Sequence, residues 1–119
     1  MASIWKDTVQ LPQFDTLEKN IHTDVLIIGG GIAGILCAYY LKQAGIDCVL
    51  VEEKTICSGT TQNTTAKITS QHGLIYHKMV KQFGMEDARL YLQANQEVLA
   101  EFRRLCSDID CDFSEQDNY

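Results

Sequence analysis

Six residues, Gly29-Gly30-Gly31-Ile32-Ala33-Gly34, constrain what this chain can fold into more than any other stretch. They follow Asp24 to Ile28, which reads DVLII: short, apolar and largely β-branched, as a strand buried on both faces of a parallel sheet should be. From Ile32 to Ala44 apolar residues recur at helical spacing (Ile35, Leu36, Ala38, Tyr39, Leu41), and Gly45 stands where a helix C′ residue would. A second apolar run, Cys48 to Val51, ends in the acids Glu52 and Glu53. Strand, glycine turn, helix and strand within about 30 residues predict a βαβ unit with a parallel sheet.

The glycine spacing has a chemical reading. Gly29 permits the tight turn out of the strand, Gly31 lets the backbone approach a pyrophosphate with no Cβ in the way, and Gly34 lets the helix pack closely on the sheet. Free N–H groups at Ile32 and Ala33, with the positive end of the helix dipole, then supply the attraction for phosphate. Glu52 is placed to accept hydrogen bonds from the adenosine ribose, and an acid there disfavours a 2′-phosphate and with it NADP. Glycines in this spacing also make plain strand–helix turns. That plainer account explains the turn but leaves Glu52 unexplained. The fingerprint alone leaves FAD and NAD both open.

The rest of the chain yields fewer signals. Residues 1–22 form a polar arm with scattered apolar residues and the one proline, Pro12, expected to lie over the surface. A loop rich in small and hydroxylated residues, Cys57 to Thr65, suits donors facing a ligand. Two more helices are expected, Leu74 to Phe83, stopped by Gly84, and Glu86 to about Cys106, and Asp110 to Phe113 reads as the start of another strand. No repeat or linker interrupts the sequence. His72 reads as a capping or core residue before a proton-transfer group, and Tyr39, Tyr40, Tyr76 and Tyr91 as core packing.

Composition excludes some classes of partner. A formal net charge of −6 with ten Lys and Arg spread along the chain argues against nucleic acid, which needs a clustered basic surface. The five cysteines (Cys37, Cys48, Cys57, Cys106, Cys111) include no C-x-x-C pair and no metal-ligand spacing. They read as reduced, mostly buried thiols of a cytoplasmic protein, with Cys57 the most exposed, and no metal site is expected. No apolar run approaches the roughly 20 residues of a membrane span.

Beyond the fingerprint, VLVEEKTICSGTT and QNTTAKITSQHGLIY resemble the D-amino-acid oxidase and glycine oxidase superfamily of FAD-dependent oxidoreductases. The segments SIW, TDVLIIGGGIAG, SGTT, NTTAKITSQHGLIY and FG-x-x-x-ARLY are similar to bacterial members that often carry a C-terminal Rieske domain. The resemblance implies FAD as cofactor, with the pyrophosphate on Gly29, Gly31, Ile32, Ala33 and Gly34 and the ribose on Glu52, with Glu53 beside it. It further implies contacts from Thr60 and Thr61 to the phosphates or ribityl chain, and a flavin ring lying along Thr65, Ala66 and Lys67. Glycine-oxidase-like members tend to have an apolar residue where Lys67 stands. A lysine beside the ring would stabilise negative charge on reduced flavin, although an isolated lysine is more often a solvated surface residue.

The expected fold is therefore α/β, a Rossmann-like βαβ unit with additional helices and an incomplete parallel sheet. Residues 1–22 are expected to be an arm and residues 23–119 the N-terminal part of an FAD-binding domain from a longer protein. The expected function is FAD binding for a flavin-dependent oxidoreductase that takes a hydride from an amine-type or related small substrate. Catalysis would belong to the whole enzyme, and no catalytic residue is assigned. Two alternatives stand beside it: an NAD-binding dehydrogenase segment, and a fragment that binds no cofactor. An unfinished sheet also exposes an edge that invites self-association.

Overall fold

The computed structural model describes residues 3–117, which form two compact units divided between Thr65 and Ala66. The first opens with a short helix α1 (Ile4–Thr8), which the arm's composition did not announce, followed by an extended stretch to Thr23. Then come β1 (Val25–Ile28), α2 (Ile32–Gln43) and β2 (Cys48–Val51). The strands pair in parallel, with Val25 opposite Cys48 and Ile28 opposite Val51. Parallel strands need a crossover, and α2 supplies it.

Local chemistry sets each end of α2. Its first intrahelical bond runs from the Ile35 N–H to the carbonyl of Gly31. At the far end Gly45 has a φ of +73°, its N–H donates to the Lys42 carbonyl, and the Ile46 N–H reaches back to that of Leu41. Those two bonds make a Schellman cap, so Gly45 fills the role its position implied.

One expectation about β1 is corrected. Val25 and Ile27 are half-buried under α2, but Leu26 is 55% and Ile28 82% exposed. β1 is therefore not buried on both faces, whereas all four residues of β2 are half-buried. Tyr39 and Tyr40 pack edge-to-face at 5.2 Å but stay exposed, and so do not serve as core.

The second unit is a helical pair, α3 (Ile75–Phe83) and α4 (Met85–Cys106). Gly84, with φ +92°, ends one helix and begins the next. Tyr76 and Tyr91 meet edge-to-face at 6.0 Å, half-buried as expected of packing residues, and Ala88 is buried near the joint. Ser70 is buried as well, its carbonyl accepting the Tyr76 O–H at 2.5 Å and its hydroxyl the Gln96 amide at 3.0 Å. His72 is exposed rather than core. No strand forms at Asp110 to Phe113: the segment is irregular, and Asp112 turns with φ +50°.

The thiols also differ from expectation. Cys37 and Cys111 are the exposed cysteines, while Cys48, Cys57 and Cys106 are half-buried. Cys57 is drawn inward because its N–H donates to the Gly30 carbonyl at 2.8 Å. Among the described residues no helix is long and apolar enough to cross a membrane, and no group of three or more candidate ligands could hold a metal.

Candidate functional site

The site is built at the end of the sheet where both strands finish. Leaving β1, Gly29 turns with φ +108°, a backbone state that costs a side-chain-bearing residue about 1–2 kcal/mol. Its N–H donates to the Val51 carbonyl at 2.8 Å, which ties the start of the turn to the last residue of β2. At Gly34 an added Cβ would lie 2.0 Å from the Gly29 carbonyl oxygen, so helix and turn touch backbone to backbone. Gly30 is buried, and a Cβ there would come within 2.8 Å of the Ile56 side chain. The spacing singled out Gly29, Gly31 and Gly34. The space at Gly30 is tighter than at Gly31, though less so than at Gly34, and the run of three consecutive glycines was its signal.

Glu52 reaches into this turn. Its Oε2 accepts the Gly30 N–H at 2.7 Å and its Oε1 accepts the Lys54 N–H at 3.1 Å. The Gly30 bond, more than the Lys54 one, holds the Glu52 carboxyl below its ordinary pKa, with burial opposing weakly. Glu53 lies beside it, exposed. A carboxylate has about four acceptor positions, so two backbone bonds leave Glu52 able to take further donors.

The loop after β2 folds back over the turn. It carries a short 3-10 turn, Thr61–Asn63, and Thr61 Oγ1 accepts the Ile32 N–H at 3.0 Å. This corrects the expectation that the Ile32 N–H is free. Of the first-turn amides of α2, those of Ala33 and Gly34 remain without an intrahelical acceptor. Thr61 Oγ1 also lies 3.3 Å from where a Cβ on Gly31 would be. Gly31, Glu52, Glu53, Thr60 and Thr61 thus line one cleft of about 400 Å³, together with Lys54 and the segment Cys57 to Gly59. A larger groove of about 1620 Å³ runs from Glu52 and Glu53 between the arm residues 12–19 and the outer side of α2 and β2.

Most of the sequence-read positions therefore come together: Gly29, Gly31, Ile32, Ala33, Gly34, Glu52, Glu53, Thr60 and Thr61 all lie at or around the cleft. Thr65, exposed, closes the first unit, while Ala66 and Lys67, also exposed, open the second. Ala66 takes a left-handed φ of +54°. Sequence reasoning missed Lys54 as a lining residue, while Cys57, Ser58 and Gly59 belong to the loop whose composition suited donors facing a ligand, and the fold-back of that loop brings them in.

A parallel βαβ unit with a glycine turn at a helix N-terminus, answered by an acid at the end of the second strand, defines a nucleotide-binding protein of the Rossmann-like type. The chain belongs to the DAO family of FAD dependent oxidoreductases, whose model matches residues 24–119. FAD is accordingly its cofactor. Over 117 residues, 97% of the chain, it is 44% identical to a Bacillus subtilis protein, YhfW, named as a Rieske 2Fe-2S iron–sulfur protein. It is 29% identical over 84% of its length to the gamma-glutamylputrescine oxidoreductase of Escherichia coli, and 36% over 62% to a chain of the anaerobic glycerol-3-phosphate dehydrogenase of Haemophilus influenzae. These matches span 23%, 24% and 11% of the respective relatives, so the chain corresponds to a quarter of their length or less. No solved structure matches it.

Proposed function

We propose that the cleft at the end of β1 and β2 holds the ADP half of FAD, in a flavin-dependent oxidoreductase acting on an amine-type or related small substrate. The observation that carries this reading is the Glu52 carboxylate, held by the Gly30 N–H and lining the same cleft as Gly31 and Thr61. The bond to Gly30 serves the turn itself, but folding alone has no use for the remaining acceptor positions of Glu52 that border the cleft. The ribose hydroxyls of FAD are donors suited to it.

The residues fit the cofactor in kind. The pyrophosphate is assigned to Gly29, Gly31, Ile32, Ala33 and Gly34, where the α2 dipole and the Ala33 and Gly34 amides attract an anion despite the net charge of −6. Thr61 accepts from Ile32 and so keeps its own hydroxyl proton to donate, with Thr60 beside it. The flavin ring is assigned to Thr65, Ala66 and Lys67, and residues 23–119 to the N-terminal part of the FAD-binding domain. Bound FAD supplies, at N5 of its ring, the acceptor for a hydride from substrate. The part played by this chain is to bind, orient and fix charge.

The substrate class follows the relatives, whose names include an oxidoreductase of gamma-glutamylputrescine and dehydrogenases of glycerol-3-phosphate. The first of these favours an amine. A cytoplasmic location is favoured by cysteines that are all free in the described residues. Each strand of the two-stranded sheet has one unpaired edge among the described residues, which supports further strand pairing or self-association. The deciding experiment is the absorption spectrum and substrate-dependent bleaching of the intact protein. Flavin bands that bleach anaerobically with a primary or secondary amine support the reading; a protein that purifies without flavin and takes up none is not a flavoenzyme.

A further inference from the structure

We propose that α1 is a clamp on the nucleotide cleft and that Trp5 is a positioning residue for FAD, acting through Thr61. This rests on the reading of the cleft as the FAD site. The Trp5 indole N–H donates to the Thr64 carbonyl at 2.8 Å, and the Ser3 hydroxyl donates to the Gln62 carbonyl. These two bonds fasten the N-terminal segment to the 3-10 turn Thr61–Asn63 and the residue after it. The first residue of that turn is Thr61, whose Oγ1 takes the Ile32 N–H at the start of α2.

A line of contacts therefore runs from α1 through the turn to the helix end that faces the pyrophosphate. The turn is braced on its inner side by Cys57, whose carbonyl accepts the Gln62 N–H at 3.0 Å and whose N–H donates to the Gly30 carbonyl. On its outer side the bracing comes from Ser3 and Trp5. A five-residue helix has too few hydrogen bonds to persist on its own, so α1 exists by virtue of this docking. Tryptophan suits the task because its indole N–H can only donate and its ring has few rotamers to lose. A side chain more than fifty positions away in sequence thereby helps set where the Thr61 hydroxyl stands.

Intact protein, stripped of flavin, would be titrated with FAD by flavin fluorescence. Trp5→Phe keeps a ring and removes the donor, and is expected to weaken the FAD Kd about fivefold. If Trp5 acts through the Thr61 hydroxyl, the double variant Trp5→Phe/Thr61→Val binds no more weakly than Thr61→Val alone. A merely structural contribution would add in full to the loss at Thr61 and overturn the proposal, as would an unchanged Kd in Trp5→Phe. Should Trp5→Phe fail to fold, Ser3→Ala removes the other fastening and is held to the same two criteria. Wild-type protein that binds no FAD overturns the site assignment itself, an outcome distinct from wild-type binding that Trp5 does not influence.

Discussion

Glu52 and Gly30 are joined across 22 residues of sequence by a 2.7 Å hydrogen bond, which fastens the acid that ends β2 to the turn that follows β1. The acid is thus part of the turn's own support, and it is in place before any ribose arrives. Glu53, its neighbour, has no such bond to the turn.

That difference sets the first prediction. Glu52→Ala removes both the ribose acceptor and the Gly30 tie, and is expected to weaken FAD binding by at least about tenfold, because bonds to a charged acceptor are the stronger kind. Glu53→Ala should do much less, since Glu53 borders the cleft without the bond that holds Glu52 to the turn. Flavin dissociation constants for the two variants check this, and equal losses would mean that the wrong acid is assigned.

The same bond predicts a pH dependence. The Glu52 carboxyl is held below its ordinary value of 4.5, chiefly by the Gly30 N–H and then by that of Lys54. A depressed pKa gives its full stabilisation above the unfolded value and loses it as the pH falls through the folded one. The stability difference between wild type and Glu52→Gln is therefore expected to be constant above pH 4.5 and to shrink only below it. Urea midpoints measured down the acid range test the window; a difference that shrinks between pH 7 and 5 would place its cause elsewhere.

Gly34 and Gly31 are expected to fail in different ways. A Cβ at Gly34 meets the Gly29 carbonyl oxygen at 2.0 Å, and neither group can rotate aside, so Gly34→Ala should destabilise the protein by about 3 kcal/mol or more. At Gly31 the nearest atom is a side-chain hydroxyl at 3.3 Å, which can shift. Gly31→Val should leave a folded protein with most of its FAD affinity gone. Urea unfolding and flavin content, measured on both variants, separate the fold defect from the binding defect.

Ser70 links α3 to α4 through Tyr76 and Gln96, and it is buried. Tyr76→Phe removes one of its hydrogen bonds and is expected to cost about 0.5–1.5 kcal/mol. Gln93→Ala removes a surface contact to Glu97 and should fall within about 0.5 kcal/mol of wild type. Thermal unfolding of the pair shows whether the Ser70 contacts or the surface ones hold these helices.

The parts of this fold that were legible in the sequence depend on local rules. Gly45 and Gly84 ended helices where a left-handed residue was needed, and the apolar run from Cys48 to Val51 was a strand at its expected bounds. The parts that were not legible depend on chain meeting chain. Helix α1 forms because carbonyls near residue 62 are there to receive it, and no periodicity in residues 4–8 foretells that. The Ile32 N–H was read as free because helix geometry alone leaves it so; the hydroxyl that takes it comes from Thr61, 29 residues on. Leu26 and Ile28 have the composition of a two-sided core strand, yet covering both faces of β1 requires a second layer, and the described residues leave Leu26 and Ile28 exposed. Composition states what a surface prefers, whereas the partner decides what it gets.

Gly84 is the whole connection between α3 and α4, and this governs how the helical pair can vary in length. Each residue added to or taken from a helix turns everything beyond it by about 100°. One insertion at the joint would swing Tyr91 away from Tyr76 and Gln96 away from Ser70 together, with no slack in which to absorb the change. Ordinary surface loops accept such edits at small cost. Among descendants of this gene, insertions and deletions are expected to accumulate beyond Cys106 and to spare the single residue where the two helices meet.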